Sequence, residues 1–143
     1  MHEEYIDLTD EENVIKLISK KMENMGIKIT YKAIKEKKHV SRKPDIRGWD
    51  KNKCRIWIVE VKPQIRPTAK KPFHQRRNYF DSLICQIVTR MKSKNTNYAI
   101  GIPYTMYKQV IDNIPLEARK RLKLRLFIVK KNGKVDYKSY TDW

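Results

Sequence analysis

Residues 44 to 62 run Pro44-Asp45-Ile46-Arg47-Gly48-Trp49, then Asp50-Lys51-Asn52-Lys53-Cys54, then Arg55-Ile56-Trp57-Ile58-Val59-Glu60-Val61-Lys62. Two runs of strand-forming residues flank Asp50 to Lys53, whose residue types suit a tight turn, so the stretch predicts a β-hairpin. Side chains alternate along the second run. Ile56, Ile58, Glu60 and Lys62 therefore share one face, and Trp57, Val59 and Val61 share the other. A carboxylate and an ammonium at the end of an otherwise apolar strand are costly unless they work or pair with something. Asp45, at the start of the first run, can lie beside Glu60 across the ladder.

Upstream of this hairpin, Thr9-Asp10-Glu11-Glu12 has the form of a capping box and predicts a helix start. Val14, Ile15, Ile18, Met22 and Met25 recur at helical spacing, and Gly26 is placed to end the helix in the left-handed conformation. Residues 27 to 35 then alternate, with Ile27, Ile29, Tyr31 and Ala33 set against Lys28, Thr30 and Lys32, which predicts a strand. Lys35 to Lys43 is a polar, basic segment expected to form a surface loop.

Downstream, Pro63 to Pro72 has three prolines and no apolar period, so an extended loop is expected there. Residues 76 to 92 place Tyr79, Leu83, Ile84, Ile87, Val88 and Met91 on one helical face. Tyr98 to Ile102 reads as a strand. Met106 to Ile114 and Leu116 to Leu122 read as short helices divided by Pro115. Leu124 to Val129 is a further strand, and Asn132-Gly133 signals a type I′ turn into a last strand near Lys134 to Tyr140. The order is mixed α/β, with no internal repeat and no linker dividing it, so residues 1–143 are read as a single domain.

The chain has 143 residues and a formal net charge of +17, from 33 Lys and Arg against 16 Asp and Glu. Six of the acids fall in residues 1 to 12, which hold no Lys or Arg, so the remaining 131 residues carry 33 basic against 10 acidic side chains. Such a field attracts a polyanion, and nucleic acid is the commonest one in cells. A lysine-rich proteome also raises Lys, but there Glu rises with it, and here it has not. No stretch approaches the roughly 20 apolar residues of a membrane span, and the acidic N-terminus is unlike a signal peptide. An intracellular, cytoplasmic location without membrane partners is expected, or a host cytoplasm if the source is viral. Cys54 and Cys85 lack CxxC or Cys/His spacing, which argues against zinc.

Two carboxylates and a peptide carbonyl form a hard oxygen site suited to Mg²⁺ or Mn²⁺. A neighbouring lysine can orient or deprotonate water and offset the charge that builds during attack on a phosphodiester. Glu-X-Lys alone is common in charged proteins. However, Pro44-Asp45, a gap of fourteen residues and then Glu60-Val61-Lys62 resembles the PD-(D/E)XK nuclease signature. The core of that superfamily is a helix, a three-strand meander bearing the motif, a helix and a further strand. Residues 10 to 102 read in that order. The resemblance implies a restriction endonuclease-like fold, in which a central mixed β-sheet has helices on both faces. It also implies a Mg²⁺-dependent endonuclease acting on DNA, with Mn²⁺ able to substitute.

By the same resemblance Asp45 and Glu60 ligate the metal, the Val61 carbonyl is a further ligand and Lys62 is the catalytic lysine. Relatives often add an acid from the first helix. Glu11 is favoured over Glu12, because it precedes Val14, Ile15 and Ile18 by three, four and seven residues and so should face the sheet. Some branches carry Gln-x-x-x-Tyr in the next helix; here Gln86 is followed by Arg90, a departure from that pattern. Gln86 is either an active-site residue or an ordinary boundary residue. Arg66, Lys70, Lys71, His74, Arg76 and Arg77 form an acid-free run suited to phosphates, and Lys37, Lys38, Arg42 and Lys43 approach Asp45 from the other side. Trp49 and Trp57 are expected to fill core space or an interface. Cutting both strands with so small a chain would call for a homodimer. The alternatives are a catalytically inactive nucleic-acid-binding protein of the same fold and, more remotely, a basic assembly protein of a virus or mobile element.

Overall fold

The computed structural model describes residues 6–34, 43–64 and 72–143, the side chains of 72–80 excepted. The candidate phosphate contacts Lys37, Lys38, Arg42, Arg66, Lys70 and Lys71, and the side chains of His74, Arg76 and Arg77, lie outside the described residues.

Helix α1 (Glu11–Asn24) buries Val14, Ile15, Ile18 and Met22, the stripe that its sequence period dictates. Its cap differs from the expected box: Asp10, not Thr9, is the N-cap, and its Oδ1 accepts from the Glu12 N–H at 3.0 Å. The Thr9 hydroxyl is drawn instead to Asp7 Oδ1. Both residue types cap helices, and the competing Asp7 acceptor moves the start by one. Gly26 ends the helix at φ +88°, as expected.

Strands β1 (Ile27–Lys32), β2 (Ile46–Asp50) and β3 (Arg55–Val61) form an antiparallel meander. In β1 the register slips between Ile29 and Tyr31, a bulge that breaks the expected alternation. Tyr31 consequently pairs with Arg47, while Ala33 still packs on the core with Ile29. Helix α2 (Pro72–Thr89) begins four residues before its apolar period and ends three before it does, and Pro72 suits a first helical position. Leu83 and Ile87 are buried, whereas Val88 is 43% exposed.

β4 (Thr96–Pro103) runs parallel to β3, and after a 3₁₀ turn, α3 (Tyr107–Asn113) and α4 (Leu116–Leu122), β5 (Leu124–Val129) runs parallel to β4. β6 (Val135–Lys138) closes the sheet antiparallel to β5. A type I′ turn needs positive φ at both central residues, but here only Gly133 has it, at +88°. The connection is therefore a longer loop, with Lys130 and Lys134 bonded at 2.8 Å across it.

The six strands lie in sequence order, β1 to β6, in one mixed sheet. α1 covers one face, packing on Ile27, Ile46, Trp57, Val59, Val61, Ala99 and Phe127. α2, α3 and α4 cover the other, packing with Ile58, Tyr98, Ile100, Ile102, Leu126 and Ile128. The α/β fold with helices on both faces thus agrees with expectation. Each fully buried aliphatic side chain in these two layers contributes about 1.5–3 kcal/mol. Among the described residues, no helix is long and apolar enough to cross a membrane. Cys54 and Cys85 are exposed, unpaired thiols.

Candidate active site

The two core layers divide β3 as its alternation requires. Trp57, Val59 and Val61 point to the α1 side and Ile58 to the α2 side, so Glu60 belongs to the α2 side with Ile58. Glu60 is only 3% exposed. The hairpin register pairs Ile46 with Val59, which sets Asp45 opposite the end of β3. There the Asp45 carboxylate accepts the Val61 N–H through Oδ2 at 2.8 Å and lies within hydrogen-bonding reach of Glu60. The Asp45 carbonyl is held in turn by the Ala33 N–H at 2.8 Å. Lys62, half-buried, continues from the same strand end, its N–H donating to the Gly101 carbonyl at 3.0 Å.

Burial and then the adjacent Asp45 carboxylate push Glu60 up to about 8, against the pull of Arg90. Arg90, just beyond α2, donates from Nε to Glu60 Oε1 at 2.5 Å. Its other arm donates to the Lys43 carbonyl at 2.9 Å. Lys43 is exposed, with its ammonium 4.7 Å above the Tyr31 ring. Of the candidate phosphate contacts, Arg90 therefore lies against the Glu60 carboxylate and is tied to the backbone of Lys43. Arg90's shoulder position on the helix hints at this approach, but nothing local in the sequence singles out Glu60 as its partner.

The other candidates are placed differently. The expectation that Glu11 faces the sheet is corrected: it is exposed on the first residue of α1. Side chains in a first helical turn point back past the helix start, away from the sheet that the next turns cover. Among the described residues no group of three or more His, Cys, Asp or Glu side chains is gathered to hold a metal, so Glu11 does not join Asp45 and Glu60. Glu12 pairs with Lys16 at 3.0 Å. Gln86 is exposed, and its backbone carbonyl accepts from the Thr89 hydroxyl at 2.9 Å.

Two crowded carboxylates, one almost fully buried, form a site that a divalent cation would relieve. The donor set fits Mg²⁺ or Mn²⁺, which commonly take one or two carboxylates and complete their octahedron with water. A stability effect follows. An acid whose folded pKa is raised favours folding fully below its unfolded value, near 4.5, and loses that contribution as pH rises through about 8. In EDTA, the thermal midpoint of the wild type should therefore fall relative to that of Glu60→Gln between pH 5 and 9. Parallel curves across that range would show that Glu60 keeps an ordinary carboxylate pKa.

No family model matches this chain, and neither does any curated protein. Two solved structures are similar to it. One is an XisH family protein from Nostoc punctiforme PCC 73102, with 18% identity over 90% of this chain and 98% of that one and a TM-score of 0.47. The other is a FdxN element excision controlling factor protein from Anabaena variabilis, with 14% identity over 87% of this chain and 98% of that one and a TM-score of 0.49. At these values the likeness carries nothing about residues or activity.

Proposed function

We propose that the chain is a metal-dependent deoxyribonuclease of the PD-(D/E)XK type, hydrolysing DNA phosphodiesters at Asp45, Glu60 and Lys62. The observation that carries this reading is the meeting of the Asp45 and Glu60 carboxyls at the end of β3, immediately before Lys62. Asp45 and Glu60 would hold Mg²⁺ or Mn²⁺, with the Val61 carbonyl as a further ligand. An ion held there would supply Lewis-acid polarisation of a phosphate oxygen and lower the pKa of a water. The Lys62 ammonium would orient the attacking water or offset the charge developing on the phosphate. The Val61 N–H fixes the Asp45 carboxylate within hydrogen-bonding reach of Glu60. In this reading Arg90, which pairs with Glu60, would also contact the phosphates.

Affinity for DNA should come mainly from the basic segments flanking the site, with Lys43, Arg66, Lys70, Lys71, Arg76, Arg77 and Arg90 as the proposed contacts. Binding should then persist in EDTA and, for about six phosphate contacts, fall roughly a thousandfold between 50 and 200 mM salt. Replacing Arg76 and Arg77 by Ala should lower affinity about equally on all sequences. Insensitivity to salt, or a loss confined to one sequence, would contradict this. Cutting both strands would use a homodimer.

A second reading, a binding protein of the same fold without catalysis, draws on the Arg90–Glu60 ion pair, because a cation already occupies the buried carboxylate. Incubating wild type with Mg²⁺ and labelled duplex, flap, single-stranded and junction DNAs decides between them. Cleavage of any substrate supports the enzyme, and binding without cleavage under every divalent ion supports the binder.

A further inference from the structure

Along β2 the residues Ile46 and Gly48 face α1, which leaves Arg47 and Trp49 on the same side as Glu60. The register confirms the placement, since Arg47 pairs with Ile58 and Tyr31, and Trp49 with Ile56 and Lys28. This half of the sheet face is not filled by the described parts of α2, which packs on β3 and β4. Trp49 and Ile56 accordingly belong to neither core layer. Of the two tryptophans expected to fill core space or an interface, Trp57 lies in the core and Trp49, half-buried, lies outside both core layers of the described residues. Thr30, Arg47, Gly48, Trp49 and Ile56 line an open concavity of about 400 Å³. Thr30 is the bulged residue of β1, and its hydroxyl donates to the Arg47 carbonyl at 3.1 Å.

We infer that this concavity binds an unpaired stretch of DNA, with a base stacked on Trp49 and the adjoining phosphate held by Arg47. The inference rests on the nuclease reading and names its substrate class: DNA with a single-stranded portion beside the cleavage site. The chemistry is that of single-strand recognition, an aromatic face set among cations. Arg47 and Lys28 are exposed, and the lining contains no carboxylate. Asp45, Arg47 and Trp49 succeed one another on one strand face, and two residues of strand rise roughly 7 Å. Trp49 therefore lies roughly 13 Å from Asp45, a distance spanned by a few nucleotides of extended strand. The volume suits one nucleotide. A second copy of the chain is a poor occupant, since it would bring its own net charge of +17 to a basic face.

The test measures anisotropy of a short labelled oligothymidylate in EDTA, so that its result does not depend on cleavage. Trp49→Ala should weaken binding about tenfold, within the range of one base–aromatic stack, while a blunt duplex loses less than about threefold. Trp49→Phe should retain binding within about threefold of wild type. Oligothymidylate should quench the intrinsic fluorescence of wild type, and the quench should vanish in Trp49→Phe, which keeps the two buried residues Trp57 and Trp143. That arm holds even if the alanine variant does not fold. Equal quenching in wild type and Trp49→Phe would overturn the inference. So would an alanine variant, folded by circular dichroism, that binds oligothymidylate like wild type. A dimer lost in Trp49→Ala by sedimentation, with oligonucleotide binding unchanged, would assign the face to a second copy instead. Absence of cleavage with the stack intact would remove the nuclease reading and leave a single-strand-binding site.

Discussion

Asp45→Asn is expected to lower metal-dependent DNA cleavage by more than about a hundredfold, beyond the loss typical of a residue that merely supports a metal ligand. Asparagine keeps the shape of the side chain and can still accept the Val61 N–H that Asp45 accepts at 2.8 Å, so the end of β3 should stay in place. The charge is what disappears. Mn²⁺ affinity measured by calorimetry should fall in parallel with activity, because one of the two carboxylates proposed to hold the ion has gone. DNA binding in EDTA should be unchanged or tighter, since a negative charge near the phosphates has been removed. Intact Mn²⁺ affinity in a folded Asp45→Asn protein would place the metal elsewhere.

Lys62→Ala should look different in one respect. Cleavage should fall roughly a hundred- to a thousandfold, as when a single group aimed at developing charge is removed. Mn²⁺ affinity should stay close to that of wild type, because an ammonium donates no ligand. The backbone N–H that joins β3 to Gly101 is untouched by the substitution, so the strand end is preserved. If Lys62→Ala loses metal affinity as completely as Asp45→Asn, its effect is on the integrity of the site and not on the water or the phosphate.

Much of this site is legible in one stretch of sequence because hairpins are local. Alternation places Glu60 with Ile58, and the pairing of Ile46 with Val59 sets Asp45 at the end of β3. The layered fold follows from the same patterns: the stripe on α1 and the apolar strands β4 and β5 leave few ways to bury their faces. Other features depend on competition among near-equal neighbours. Thr9 and Asp10 are both good caps, and the choice falls to Asp10 because Asp7 engages the Thr9 hydroxyl. The bulge at Thr30 has no signature in the alternating sequence of residues 27 to 33, yet it breaks the alternation in the sheet and pairs Tyr31 with Arg47.

Features set by non-local packing are least visible. Arg90 meets Glu60 across thirty residues because the β3–α2–β4 crossover returns the helix over its own strand. What the described part of α2 covers on the sheet, β3 and β4 and not the face at Trp49, depends on how far the helix extends sideways. Periodicity reports which face of a strand is apolar, not whether a helix lies above it, and so an aromatic residue on β2 reads equally as core or as interface.

The most direct test of the proposed centre is Mg²⁺-dependent cleavage of the labelled DNA panel by wild type and Lys62→Ala, at protein concentrations giving equal DNA occupancy in EDTA. The prediction is that wild type cuts at least one substrate and Lys62→Ala, still bound, cuts it at least about a hundredfold more slowly. Equal cleavage by the two proteins, or none by wild type with any divalent ion, would contradict the assignment of Asp45, Glu60 and Lys62 as a nuclease centre.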